Sequence, residues 1–381
     1  MKFRLISVLL LILVSAVACT APAVEIEPEE VKPYSHSTYI MVHEYLAAQT
    51  GRQEIYDAFD LRVQSNTPLE AGKLDPNGVI EIAVVYPGNQ VSDYWRRSVQ
   101  SFQKRMDEIG LSYNITETFT DASGELQLQE DAIRQAILSK PDYLIFTLDV
   151  TAHKKLIESA IIAKETKIIL QNITTPLQEW VDRQPFLYVG FDHMLGTQVL
   201  ADHIVDQVGG SGQYAVLYFT DGYVSEMRGD TFIEAMEAQE GMQLVGSFFT
   251  DGNREKAKAA TLTLLADNPD LKVIYSCSTD ITFGILDALK ETGKLGDIMV
   301  NGWGGGSAEL EAIAAGEIDV TVMRMNDDNG IAMAEAIYLD QTGLSGQVPT
   351  VYSGAFKLIT KETPEDRIDQ YKERAFRYSE D

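Results

Sequence analysis

From Val79 onward, short runs of β-branched and other apolar residues alternate with amphipathic stretches of helical length. Such alternation is typical of βαβ units and predicts parallel sheets covered by helices. The length of 381 residues suits two lobes better than one core. The runs fall into two sets, at 79–86, 112–119, 142–148, 167–172 and 186–191, and at 214–219, 244–250, 272–277, 298–303 and 318–324. We therefore expect an α/β protein of two doubly wound lobes facing each other across a cleft.

The first eighteen residues have the pattern of an export signal. Lys2 and Arg4 precede an apolar run, and a small-residue cleavage site ends at Ala18. The run is shorter than the roughly 20 residues of a membrane span, so a cleaved signal peptide is predicted for 1–18. Cys19 leaves two routes open. The string AVAC resembles a lipobox, in which the cysteine would carry a lipid anchor, and it equally suits ordinary cleavage after Ala18.

Residues 19–78 form a distinct N-terminal extension. It begins with an acidic, proline-bearing stretch, and helices are predicted from about Thr38 to Ala48 and from about Glu54 to Val63. We expect these helices to pack on the main body as a strap, with a partner-contacting arm as the alternative. Apart from Cys19 the chain has one cysteine, Cys277, which is expected to be a small core residue, so no disulfide is predicted within the mature chain.

The charge and the motifs exclude several classes of function. A formal net charge of −26 argues against binding to nucleic acid or to anionic membranes. The sequence has no GxSxG elbow, no HExxH, no CxxC and no phosphate-binding GxxxxGKS loop. His193 and His203 lie ten residues apart on one predicted helix and so cannot share a metal ion. We predict a binding protein without a cofactor rather than an enzyme.

Polar and aromatic side chains follow the ends of several predicted strands. Ligands of open α/β sheets bind in the crevice outside the carboxyl ends of the strands, so these side chains are candidates for ligand contact. The candidate site residues are Gln90, Ser92, Trp95, Asn172, Arg228, Ser278, Thr279, Asp280, Trp303 and Arg324.

The tryptophans and the glycine-rich string NGWGGGS help to define the ligand. Trp95 and Trp303 follow strand ends and could enclose a small ring, while packing is the alternative role for each. Trp180 is expected to be structural. The string from Asn301 to Ser307 lacks a lysine and the GxGxxG spacing, which disfavours nucleotide binding and favours a tight turn that presents Trp303.

Two arginines indicate the charge of the ligand. Arg324 ends an apolar strand, where a charge is costly unless it is paired or faces a ligand, and Arg228 begins a helix after the strand YAVLYF. Two cleft arginines would favour an anionic or strongly polar ligand. The alternative is internal pairing, of Arg228 with Asp230 or Glu226 and of Arg324 with Asp327 or Asp280.

Long strings that recur in order resemble the LuxP-type receptors for autoinducer-2, within the type I periplasmic-binding-protein family. The likeness covers Ile80 to Tyr378 and is weaker before Thr67. The strings include VVYPGNQVSDYW, DYLIFTLD, ILQNITTP, RGDTFI, CSTD, NGWGGGSAEL and VTVMRMNDD. The resemblance implies a periplasmic protein of two lobes joined by a multi-strand hinge, with lobe 1 at 79–190 and 326–353 and lobe 2 at 191–325 and 354–381.

The same resemblance implies a ligand and a partner. Those receptors hold autoinducer-2 as a furanosyl borate diester, with boron only as part of the ligand, and all ten candidate residues match ligand-contacting positions. The implied partner is the periplasmic domain of a two-component sensor kinase of the LuxQ type. Membrane contact would then come only through that kinase or through a lipid on Cys19. The competing hypothesis is a pentose- or hexose-binding protein of an ABC importer.

Overall fold

The protein is described here by a computed structural model, which covers residues 38–75, 78–121, 125–148 and 151–379. The predicted signal peptide, Cys19 and the acidic stretch before Thr38 lie outside the described residues.

The order of elements along the described chain alternates between strands and helices. The strands are β1 (Ile80–Asn89), β2 (Tyr113–Asp121), β3 (Tyr143–Phe146), β4 (Lys167–Gln171), β5 (Leu187–Phe191), β6 (Ser211–Tyr218), β7 (Gly241–Phe249), β8 (Leu271–Ser276), β9 (Met299–Val300), β10 (Val320–Arg324), β11 (Val351–Gly354) and β12 (Phe356–Thr360). The α-helices are α1 (Val42–Ala47), α2 (Arg52–Gln64), α3 (Tyr94–Ile109), α4 (Leu126–Ser139), α5 (Lys154–Ala163), α6 (His193–Val208), α7 (Thr231–Glu237), α8 (Arg254–Asp267), α9 (Thr279–Thr292), α10 (Ser307–Ala314), α11 (Asp327–Gln341) and α12 (Glu365–Ala375).

Within the described residues, two parallel sheets form two lobes. The first has six strands in the order β11-β5-β4-β3-β1-β2, and the second has four in the order β7-β6-β8-β9. In each sheet the strand order reverses once, between β1 and β3 in the first and between β6 and β8 in the second. These four strands end at the cleft. The prediction of two doubly wound lobes is confirmed.

Each predicted strand is present, but two differ from expectation. The first was predicted at 79–86, whereas β1 continues through Pro87 and Gly88 to Asn89. Its neighbour β3 ends opposite Val85, so the N–H that Pro87 lacks is not needed for pairing on that side, and the register with β2 shifts there. The tenth strand, β10, is not part of the continuous four-stranded ladder: it pairs antiparallel with β12 and is joined to the segment after β9 by isolated parallel bridges, Asn301 with Val320 and Gly304 with Met323.

Both lobes have continuous apolar cores beneath their helices. Lobe 1 buries alternate residues of β1 such as Val84 against Ile337 of α11, and lobe 2 buries Val216 of β6 against Ile285 of α9. Cys277 belongs to the second core and is fully buried, as predicted. Burial raises the pKa of the Cys277 thiol well above its usual value, so it is unreactive.

The chain passes between the lobes near residues 191–193, 324–327 and 354–356. After the second of these crossings the chain forms α11, which packs on α3 in lobe 1. The helix α2 of the N-terminal extension also packs on α11, where Arg62 forms an ion pair with the buried Glu335 at 2.8 Å. The Tyr56 hydroxyl donates to the carbonyl of Ser353 in β11 at 2.6 Å. These contacts tie the extension to lobe 1.

Candidate ligand-binding site

A cavity lies where the carboxyl ends of the strands of both lobes meet. This is the position that open parallel sheets use for ligands. The residues that line it are Pro87, Gln90, Ser92, Tyr94, Trp95, Asn172, Phe219, Val224, Arg228, Ser278, Thr279, Trp303 and Arg324.

All of the candidate residues except Asp280 line this cavity. Residues from β1, β4, β6, β8, β9 and β10 thus converge on one space. Sequence reasoning missed Pro87, Tyr94, Phe219 and Val224, which also line it. Each lies at or just beyond a strand end, and that position was the only signal that could have found them. Trp180, expected to be structural, is buried away from the cavity.

Asp280 faces the opposite lobe. Its Oδ1 accepts a hydrogen bond from the backbone N–H of Val91, in the loop after β1, at 2.9 Å. Burial raises the pKa of Asp280, against the opposing effect of the N–H groups of Val91 and Ser92. The structure therefore places Asp280 in a bond between the lobes, beside the cavity rather than in its lining.

Arg228 lies on one turn of π-helix, Ser225–Asp230, which follows β6. Such turns recur at functional sites because they redirect a side chain. The Nη1 of Arg228 donates to the carbonyl of Cys277 at 2.7 Å, and its Nε donates to Nδ1 of His193 at 3.3 Å. The guanidinium lies 3.6 Å from the centre of the Trp303 ring. These contacts fix its plane at the cavity wall.

Arg324 reaches the cavity from the end of β10. Its guanidinium lies 4.0 Å from the centre of the Tyr94 ring and packs closely on the backbone of Gly304. A Cβ at position 304 would lie 2.5 Å from Nη2 of Arg324, and φ there is +137°, so the turn requires glycine. The glycine-rich string therefore makes room for an arginine as well as turning the chain.

Three of the carboxylates considered as internal partners for the arginines have other donors. Asp230 accepts from the Tyr218 hydroxyl at 2.6 Å, and Asp327 accepts from the backbone N–H of Tyr378 at 2.7 Å. Asp280 is bonded to Val91. In the described part of the chain, no Asp or Glu is among the residues that line the cavity.

A buried histidine lies next to the cavity arginines. His193 is fully buried behind Arg228. Burial, together with the positive charges of Arg228 and Arg324, lowers the pKa of His193 well below its usual value. His193 is therefore uncharged beside the two cavity arginines.

Glu309 organises the lobe 2 wall, although sequence reasoning did not identify it. The carboxylate accepts from the backbone N–H groups of Trp303 at 3.0 Å and of Gly305 at 2.8 Å. It also accepts from the hydroxyls of Thr279 at 2.6 Å and Thr321 at 2.7 Å. One buried side chain thus fixes the glycine-rich turn to the start of α9. A Glu eight residues after Asn301 gives no signal of this role in the sequence.

A second set of polar contacts joins the lobes at the rim of the cleft. Asp93 and Arg97 of α3 form an ion pair at 2.7 Å. Asp93 accepts from the backbone N–H of Ser307 in lobe 2 at 3.2 Å, and Arg97 donates to the Ser307 hydroxyl at 2.9 Å. Burial raises the pKa of Asp93, but its bond with Arg97 outweighs this and leaves the pKa below its usual value. The lobes are therefore closed on each other.

Within the described ranges, no group of three or more His, Cys, Asp or Glu side chains could hold a metal ion. None of the helices described is both long and apolar enough to cross a membrane.

A two-lobed α/β fold with a cavity between the lobes is the architecture of many solute-binding proteins, and comparison with known proteins agrees. Residues 82–343 match the family model described as "Periplasmic binding protein domain". The chain belongs to this family. Its members bind solutes, which confirms the prediction that the protein is not an enzyme and places it among periplasmic proteins.

Individual relatives are distant. The chain is 24% identical over 264 residues to the "Ribose import binding protein RbsB" of Bacillus subtilis, covering 69% of this chain and 82% of that protein. It is 28% identical over 161 residues to the "D-allose-binding periplasmic protein" of Escherichia coli K12, covering 42% of this chain and 51% of that one.

Solved structures share the fold. An ABC transporter solute-binding protein from Agrobacterium vitis, bound with α-D-tagatopyranose, aligns with a TM-score of 0.68 and 19% identity over 77% of this chain and 98% of its own. One from Actinobacillus succinogenes, with bound D-allose, aligns with a TM-score of 0.64 and 18% identity over 74% and 98%. At such identities the likeness shows the fold alone.

Proposed function

We propose that the protein is a periplasmic receptor that closes its lobes around autoinducer-2, in the form of its furanosyl borate diester. The observation that carries the proposal is the pair of buried arginines in the cavity wall, Arg228 against Trp303 and Arg324 against Tyr94. The resemblance of the site strings to LuxP-type receptors supports the same ligand.

A tetrahedral borate diester carries a fixed negative charge on a small ring. Guanidinium groups match such an anion because they stay charged and donate paired hydrogen bonds to neighbouring oxygens. Gln90, Ser92 and Asn172, which also line the cavity, supply shorter polar groups for ring hydroxyls. Trp95 and Trp303 enclose the space and exclude water, which strengthens each of these bonds.

The mechanism is a shift of population between open and closed lobes. A ligand that contacts residues of both lobes binds the closed form better, and it shifts the equilibrium by that difference in affinity. In a signalling role, the periplasmic domain of a sensor kinase would read the closed form.

The second candidate is a binding protein that delivers a neutral pentose or hexose to an ABC importer. It is favoured by the relatives whose names specify ribose and D-allose. Against it, sugar hydroxyls are well held by carboxylates, which accept two bonds each, whereas the described cavity lining has arginines and no carboxylate.

Titration calorimetry on protein freed of ligand by unfolding and refolding distinguishes the candidates. The boron-free furanosyl precursor is titrated in borate-containing and in borate-free buffer, and D-ribose and D-allose are titrated in both. We expect roughly 30-fold or greater tightening with borate for the furanosyl ligand alone, since two charge-assisted contacts depend on it. Tight binding of D-ribose or D-allose that is independent of borate would overturn the proposal in favour of sugar import.

A further inference from the structure

His193 occupies the layer directly behind the cavity wall. It begins α6, after Asp192, whose carboxylate caps the helix by accepting from the N–H of Leu195 at 3.0 Å. The side chain of His193 is 1% exposed, and it does not line the cavity itself. Neither of the proposed functions requires an imidazole at this position, yet its ring meets the cavity arginine.

Aromatic rings hold the imidazole of His193 in place. The ring of Trp303 lies 5.1 Å away, centre to centre, and that of Tyr223 lies 5.2 Å away. Tyr223 is itself fixed, because its hydroxyl accepts from the backbone N–H of Thr174 in lobe 1 at 3.4 Å. The imidazole therefore has little freedom to rotate away from Arg228.

The protonation state of His193 decides whether it can accept a hydrogen bond. Nδ1 lies 3.3 Å from Nε of Arg228, and because Nε–H is a donor, Nδ1 must carry a lone pair. The charged groups that act on the ring are Arg228 and Arg324; the rings of Tyr223 and Trp303 pack against it, and Asp192 is adjacent in the chain. The two arginine charges and burial keep His193 neutral at physiological pH.

The bond has a geometric consequence for Arg228. Its Nε–H is directed at Nδ1 of His193, its Nη2 lies 3.5 Å from Nε2 of the same ring, and one Nη1–H is directed at the carbonyl of Cys277. A planar group with protein contacts at all three nitrogens, and with Trp303 against one face, has a single orientation. Arg228 therefore presents the same edge to the cavity in every closed molecule.

We propose that His193 is a positioning residue for Arg228, which fixes the guanidinium plane and thereby sets the preference for an anionic over a neutral ligand. The inference rests on the proposed function, because it concerns the discrimination that Arg228 provides. A fixed guanidinium plane strengthens the binding of a small anion whose oxygens have a fixed spacing, because paired hydrogen bonds depend strongly on angle.

Two substitutions separate positioning from packing. His193→Leu keeps an apolar group of similar size and removes the acceptor, whereas His193→Asn keeps an acceptor near the place of Nδ1. Affinities are measured by calorimetry for the borate ester and for a neutral ring ligand, with circular dichroism to check the fold. We expect His193→Leu to weaken the borate ester by roughly 10-fold to 30-fold and the neutral ligand by less than about 3-fold.

The conservative variant completes the test. His193→Asn should return the ratio of the two affinities to within about 3-fold of wild type, because its Oδ1 can accept from Nε of Arg228. Equal weakening of both ligands by His193→Leu, or no recovery with His193→Asn, would show a packing role and overturn the proposal. Unchanged affinities in His193→Leu would also overturn it.

A readout without any ligand keeps this inference distinct from the proposed function. In ¹⁵N-labelled wild-type protein at neutral pH, the Arg228 Nε–H should give a slowly exchanging NMR signal, assigned by its loss in Arg228→Lys. We expect the signal to disappear in His193→Leu and to return in His193→Asn. Its persistence in His193→Leu would refute the positioning role. Absence of any borate preference in wild type would instead refute the proposed function.

Discussion

The cavity wall and the rim of the cleft both unite the two lobes, but they do so with different chemistry. At the rim, charged groups of one lobe bond to groups of the other, as Asp93 and Arg97 do with Ser307 and Asp280 does with Val91. In the cavity wall, Arg228 and Arg324 stack on aromatic faces at the edge of the ligand space.

This difference separates two properties of a binding protein. Bonds at the rim form only when the lobes close, so they set how readily the protein closes whatever the ligand is. The cavity arginines act on the charge of the ligand, so they set which ligand stabilises the closed form. Changes at the rim should therefore shift all affinities together, and changes in the wall should shift their ratio.

Removal of both cavity arginines should have the largest effect. We expect Arg228→Met with Arg324→Met to weaken binding of the borate ester by roughly 10²-fold to 10⁴-fold, since each charge-assisted contact contributes about 1.5–3 kcal/mol. Methionine keeps the apolar stem packed on Trp303 and Tyr94, so the fold should persist. Calorimetry with the ester and with a neutral ring measures the change.

A surface arginine provides the matched control. Arg254 pairs with Asp287 at 2.6 Å on the outside of lobe 2. Arg254→Met should leave both affinities unchanged. If the double cavity variant still binds the ester tightly, the two arginines do not determine affinity by neutralising the charge of the ligand.

Glu309→Gln should affect stability as well as binding. The amide keeps one accepting oxygen but turns an N–H₂ group toward donors, and four bonds converge there. We expect the free energy of unfolding to fall by about 2–4 kcal/mol, with weaker binding of every ligand because the Trp303 turn loosens. Urea unfolding measures the loss. Glu311 is exposed on the same helix, so Glu311→Gln should leave stability and affinity unchanged. The same lack of effect in Glu309→Gln would contradict this role of Glu309.

Asp280→Ala should weaken all ligands alike. The bond to Val91 exists between the lobes, so its loss should lower every affinity by roughly 5-fold to 10-fold, in line with about 1 kcal/mol for one hydrogen bond. Asp287→Ala on the same helix serves as the control. A change in the ratio of charged to neutral ligand would instead make Asp280 a ligand contact, as its position in the sequence predicts.

The smallest effect concerns pH. The pKa of Asp93 is lowered in the closed form, so its bonds stabilise closure above the ordinary carboxyl pKa of 3.8 and are lost as the pH falls below it. The ligand affinity of the wild type should decline below about pH 4, and the affinity of Asp93→Asn should decline less over the same range. Fluorescence titration of Trp95 and Trp303 at a series of pH values follows this. Identical pH profiles of ligand affinity for the wild type and Asp93→Asn would show that Asp93 does not influence lobe closure.

The sequence predicts the strands and most of the cavity because both follow from local patterns. Apolar runs mark the parallel strands, and polar residues placed after Asn89 and Gln171 must meet where those strands end. Long-range contacts give no such pattern. The bonds of Glu309 and the interlobe bond of Asp280 join segments that only the folded chain brings together, and the same holds for the antiparallel pairing of β10 with β12.

The most direct test of the central claim is to identify what the protein carries. Protein purified from its native host is denatured, and the released small molecule is analysed by mass spectrometry and boron-11 NMR. The account predicts a furanosyl ring with a tetrahedral boron signal, in a ratio near one to one with protein. A plain pentose or hexose, with no boron signal, would contradict it and leave the two arginines to be explained as parts of a sugar site.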